Sequence, residues 1–183
     1  VISMKRYVIQ HTTEMTNQFK LVDRKKNTIG FVKRSDVDAY EETTAYRYSS
    51  ADGSVQATIG VMKDSLHSLW ATTYIFDYQG VRYLFEDSTQ EQSFQFRMEG
   101  MIDEHHISAE ITWETELEIE RDENLAANVR VSRNKERTIF HFSSSVKEDS
   151  ALFAFSILVP FMYVLHQKER NVDESMLNED YLS

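Results

Sequence analysis

The sequence predicts a mainly β fold, an antiparallel barrel closed around one hydrophobic C-terminal helix. From Met4 to about Ser145 the apolar residues recur with a period of two, as in strands that bury one face. Turn-forming residues cut this region at regular intervals, which gives ten or more strands, enough to close a sheet and remove its edges. From Ala151 to Leu165 the period changes, and only Ser156 interrupts an apolar run.

The first hairpin joins Phe19–Val22 to Thr28–Val32 through Asp23 to Asn27. Its spacing predicts Phe19, Leu21, Ile29 and Phe31 facing inward, with Lys20 and Arg34 on the polar side. Asp52-Gly53 predicts a type I′ turn, since both residues tolerate positive φ. Asp77 to Gly80 joins Thr73–Phe76 to Val81–Phe85. Phe94, Phe96 and Met98 then alternate with Gln95 and Arg97, and Ile107, Ala109, Ile111 and Trp113 alternate with Ser108, Glu110 and Thr112. Leu117 and Ile119 sit between Glu116, Glu118 and Glu120. Further turns are expected at Asp103-Glu104, Asp122 to Asn124 and Arg133 to Lys135.

Ser145-Val146-Lys147-Glu148 matches a capping box and predicts a helix over 146–166. Leu152, Phe155, Leu158, Met162 and Leu165 are its expected core residues. No face of this helix is left polar, so either protein or lipid must surround it. The 15 residues from Ala151 to Leu165 reach roughly 22 Å, short of the ~30 Å of hydrocarbon in a bilayer. A buried core helix is expected, with a tail anchor as the alternative. Pro160 removes one backbone donor and predicts a kink or a split. The expected organisation is one domain, residues 1–170, with strands over 4–144. An acidic, partly disordered tail is expected over 171–183.

With Cys 0 in 183 residues there is no disulfide, thiolate metal site or cysteine nucleophile, which suits a reducing cytosol. No basic-then-apolar leader is visible, and a cytoplasmic location is expected. Glycines stand at 30, 53, 60, 80 and 100, and none has the spacing of a phosphate-cradling or dinucleotide loop. The net charge of −10 is uneven: residues 1–34 hold eight Lys/Arg against two Asp/Glu, and the remainder carries −16. An acidic body repels phosphates, so nucleic acid is not an expected partner.

Repeated strand–Asp–turn–strand hairpins followed by one uniformly apolar helix resemble the tubby C-terminal / LURP-one-related superfamily. The hairpins Phe19 to Val32 and Tyr74 to Phe85 carry the resemblance, together with the 146–166 helix. It implies a closed antiparallel barrel of about twelve strands around a central hydrophobic helix. Tubby domains bind phosphoinositide head groups through a basic pocket, phospholipid scramblases are distant relatives, and many LURP-one-like and bacterial members have no assigned activity. The resemblance thus implies a non-catalytic binding or scaffold module that meets anionic phospholipid or a protein partner, peripheral at the membrane in the first case. The alternative is a hydrolase or small-ligand-carrying barrel.

Among candidate sites, Lys20, Arg24, Lys25, Lys26 and Arg34 form a basic hairpin able to meet an anionic head group. His105-His106 beside Asp103 and Glu104 resembles a metal cluster, but neighbours on a strand point to opposite faces, so a solvated turn is expected. Glu114, Glu116, Glu118 and Glu120 share one strand face and read as equivalent, exposed carboxylates. There is no G-x-S-x-G elbow and no histidine pair at metal spacing. No catalytic residue, metal or cofactor is expected.

Overall fold

The structure, a computed structural model, describes residues 3–11, 18–35, 45–62, 72–87, 95–112, 116–131 and 137–180, with side chains as far as 167. The strands in chain order are β1 (Met4–His11), β2 (Gln18–Asp23), β3 (Thr28–Arg34), β4 (Tyr46–Ser50), β5 (Gln56–Val61) and β6 (Thr73–Tyr78). They continue with β7 (Val81–Asp87), β8 (Arg97–Ile102), β9 (His105–Ile111), β10 (Glu116–Arg121), β11 (Asn124–Val131) and β12 (Arg137–Ser143), and the helix α1 (Ala151–Asp180) follows. Every strand pairs antiparallel with its neighbours in sequence, and β12 returns to β1, so the barrel is closed. The seam runs from Met4↔Ser143 to Gln10↔Arg137.

The period-two pattern becomes burial. Leu117 and Ile119 are fully buried between half-exposed Glu116, Glu118 and Glu120, and Phe140 and Phe142 alternate in the same way on β12. The inward side chains do not meet across an empty lumen, because α1 runs along the axis. Leu152 to Pro160 are nine consecutive buried residues, more than two turns, so every face of the helix is covered. Phe153 stacks on Phe142 at 4.6 Å and meets Tyr7 edge-on at 5.2 Å, while Phe155 stacks on Phe85 at 4.4 Å and meets Phe76 at 5.4 Å. These rings come from β1 and β12 on one side and from β6 and β7 on the other. Leu152, Phe155, Leu158 and Met162 are buried, and Leu165 packs against the same core half-exposed. No helix among the described residues is long and apolar enough to cross a membrane.

Two strands approach so closely that only glycine fits. A Cβ on Gly30 would lie 2.5 Å from the Ser49 carbonyl oxygen and 2.6 Å from the Tyr48 ring. One on Gly100 would lie 2.7 Å from both the Leu84 carbonyl and the Phe85 ring. In each case an aromatic ring from the next strand covers the bare backbone.

Several expectations are corrected. The helix begins at Ala151, not 146. Its cap is Ser150, whose Oγ accepts the Phe153 amide at 3.2 Å and donates to the Lys147 carbonyl at 2.6 Å. Ser145 instead bonds Ser143, and Glu148 accepts the Tyr7 hydroxyl at 2.6 Å. Pro160 does not split the helix, which runs on to Asp180. Residues 171–180, expected as a partly disordered tail, continue it: extending an existing helix avoids the cost of a new nucleus, although six of these ten residues are weak helix formers. At Asp52-Gly53 only Gly53 has positive φ (74°), and the turn is held by Gly53 N–H to the Ser50 carbonyl at 3.0 Å. The paired positive φ of a two-residue turn falls at Gln79-Gly80 (50° and 80°) and Asp122-Glu123 (50° and 65°). The turn expected at Arg133 to Lys135 lies outside the described residues, as do Phe94 and Trp113.

Phe31 does not face inward. The register of β2 and β3 shifts between Leu21 and Val22, leaving Ile29 as an extra residue against the core. Beyond this bulge Gly30 and Val32 point in, and Phe31 lies beside Lys20 on the outer wall.

Candidate functional site

The five basic candidates do not converge. Arg24, Lys25 and Lys26 form the β2–β3 turn, which Asp23 organises by accepting the amides of Lys25 (2.9 Å) and Asn27 (2.8 Å) and the Asn27 side-chain amide (3.0 Å). Those bonds, the Asn27 side chain first, hold the Asp23 carboxyl below the usual range. The other described turns and the link to α1 crowd the same end of the barrel. They bring Asp52, Asp103, Glu104, Asp122, Glu123, Glu148 and Asp149 there, against Arg121, Lys147 and, at the start of β1, Lys5 in addition to the tip. The tip therefore sits within a rim of carboxylates. Arg34 stands at the opposite end, opposite Tyr46 and on the interior side of the strand, about 20 Å along β3 at ~3.3 Å per residue. Lys20 lies between them on the outer wall, so Lys20 and Arg34 do not share a face.

The sheet assembles a different basic group. Lys33 on β3 is directly opposite Arg47 on β4, both outward, and Lys20 is on the adjacent strand beside Phe31. Arg6, on the outer face of β1 opposite His141, stands apart from this group: it is level with Arg24 at the tip, about 20 Å from Lys33 along the strands. The outward positions of β1 to β5 among the described residues include no Asp or Glu. No ion pair among the described residues engages Lys20, Lys33 or Arg47. Two like charges directly opposed cost stability in a sheet, so Lys33 and Arg47 are a local conflict the fold tolerates. Sequence reasoning missed Arg47 because it lies beyond the basic window ending at Arg34. Extending the alternation across the β3–β4 hairpin, Arg34↔Tyr46 and then Lys33↔Arg47, would have found it.

The opposite wall has the opposite sign. Glu86 on β7 faces Glu99 on β8, and Glu110 on β9 faces Glu118 on β10. Arg97 lies between these pairs, with Nε 3.0 Å from Glu99 Oε1 and a terminal nitrogen 3.8 Å from Glu110. The β10 glutamates are not equivalent. Hydrogen bonds from Arg130 and Asn128 hold Glu116 below the usual range, while partial burial, then Glu120, Glu110 and Glu116, pushes Glu118 above it. Glu114 lies outside the described residues.

The histidine cluster disperses. His105 Nδ1 meets Asp122 Oδ2 at 2.6 Å, the His106 amide bonds Asp122 Oδ1 at 2.9 Å, and Asp103 accepts the Tyr83 hydroxyl at 2.9 Å. The contact with His105 holds the Asp122 carboxyl low. No group of three or more His, Asp or Glu among the described residues could hold a metal. Inside the barrel, Ser156 Oγ donates to the Leu152 carbonyl at 2.7 Å. Burial raises the Tyr7 and Tyr48 hydroxyls above their ordinary value, with Glu148 adding to the Tyr7 shift.

No family model and no curated protein matches the chain. Among solved structures it is similar to a crystal structure of a protein from Arabidopsis thaliana, with 10% identity over 92% of this chain and 93% of that one and a TM-score of 0.44. The similarity is one of fold.

Proposed function

We propose that the protein is a non-catalytic binding module of the tubby-like kind whose outer β1–β5 wall rests against an anionic phospholipid surface, peripheral at a membrane. The acid-free wall carrying Lys20, Lys33 and Arg47 supports this reading above the hairpin tip. An enzyme or carrier would need convergent polar groups around a cavity, whereas here an apolar helix occupies the barrel axis. Three basic residues at about 1 kcal/mol each give roughly 3 kcal/mol, equivalent to a Kd of several mM. Binding of that strength is reversible and salt-sensitive, and a second contact would be needed for stable residence.

Flotation with vesicles of phosphatidylcholine, with and without phosphatidylserine or phosphoinositide, tests it. The parent should float with anionic vesicles at ~50 mM salt and less as the Debye length shrinks. Lys33→Glu with Arg47→Glu should abolish flotation, while Arg24→Glu, Lys25→Glu and Lys26→Glu together should preserve most of it. Loss through the tip variant alone, or no flotation by the parent, overturns the reading.

A further inference from the structure

We propose that the basic and acidic walls dock on one another in successive copies of this chain, giving a weak head-to-tail self-association. Three like-charge pairs carry the inference: Lys33/Arg47, Glu86/Glu99 and Glu110/Glu118 are each directly opposed across neighbouring strands. Arg97 compensates the acidic pairs only in part. A second copy brings the missing opposite charges to both walls at once.

The placement fits. In a ring of twelve strands β3 and β9 are six apart, so the walls are diametrically opposed. With strands ~4.8 Å apart and tilted ~40°, the backbone diameter is about 24 Å. The Debye length at 0.1 M salt is about 10 Å, so salt largely screens the charge of the far wall, and the net charge of −10 does not cancel the local attraction. Each wall also offers apolar surface: half-exposed Phe31 on one, Leu84 (53% exposed) and Met101 (47%) on the other. Surfaces on opposite sides cannot form a closed two-fold pair, so the contact is heterologous and propagates. Two convex walls touch over a small area, which keeps it weak.

Sedimentation velocity without lipid tests it. At ~0.1 M salt the weight-average sedimentation coefficient should rise with concentration, and at ~1 M salt it should stay at the monomer value. Lys33→Glu with Arg47→Glu makes both walls acidic; Glu110→Lys with Glu118→Lys makes both basic. Each alone should remain monomeric, with unchanged circular dichroism, and a 1:1 mixture should associate. Lys33→Gln with Arg47→Gln gives a milder loss should a reversal variant misfold. The acidic-wall variant should still float with anionic vesicles, which separates this contact from lipid binding. A parent that stays monomeric at ~0.1 M salt, or a mixture that does not associate, overturns the proposal.

Discussion

Replacing Leu158 by Asp places a carboxyl on the face-less part of the helix, at a position with 0% exposure. The cost has two parts. Burying the side chain un-ionised at pH 7 means protonating a group of ordinary pKa about 3.9, roughly three units at ~1.4 kcal/mol each, or about 4 kcal/mol. Losing the leucine burial adds about 2 kcal/mol. The total, about 6 kcal/mol, is comparable with the whole stability of a domain of this size, typically 5–15 kcal/mol. Urea unfolding followed by circular dichroism measures it, with Leu158→Met as a volume-conserving control costing under about 1.5 kcal/mol. The first part has a signature in pH. A buried Asp has its folded pKa raised above the unfolded value, so the penalty is absent below pH ~3.9 and grows as pH rises. The gap between parent and variant should therefore shrink by about 4 kcal/mol between pH 7 and pH 4. A gap below about 1 kcal/mol at pH 7, or one independent of pH, would mean that position 158 is not enclosed.

Ser150→Ala should cost about 1 kcal/mol in the same assay because the Phe153 amide loses its acceptor, whereas Ser145→Ala should cost little; the reverse order would restore the earlier helix start. Hydrogen bonds from Ser50 and Ser54 hold the Asp52 carboxyl down to about 2, so its contribution is present above the unfolded pKa of about 3.9 and lost as pH falls toward 2. Asp52→Asn should accordingly be less stable than the parent at pH 6, and the difference should close on acidification; a constant difference refutes the assignment.

What the sequence made legible was what short-range periodicity determines. Leu117 and Ile119 among glutamates, and an apolar run from Ala151 with one serine, are unambiguous because burial acts on each residue where it stands. The errors arose where a distant partner decides. Ser145 and Glu148 have capping-box spacing, but Glu148 is taken by Tyr7, 141 residues away, and Ser150 is the serine that lies against the first helical amides. Phe31 and Ile29 share a period, but a bulge set by pairing with β2 separates them. The candidate site failed similarly: a run of basic residues along the chain spans both ends of a barrel, whereas Lys33 and Arg47 become neighbours only through the register of β3 and β4.

The seam between β1 and β12 also constrains the order of folding. Met4 pairs with Ser143, and the helix that fills the axis follows both in the chain. Once the seam has zipped, a helix carrying Phe153, Phe155 and Leu158 has no side entrance through a closed ladder of hydrogen bonds. Docking of the helix on an open, curled sheet before the first and last strands meet avoids that passage, and φ-values near zero along the Met4–Ser143 seam would mark ring closure as the late step. On a ribosome, the eleven strands before β12 wait with apolar inner faces exposed until the final segment emerges, the situation in which nascent β proteins depend most on chaperones.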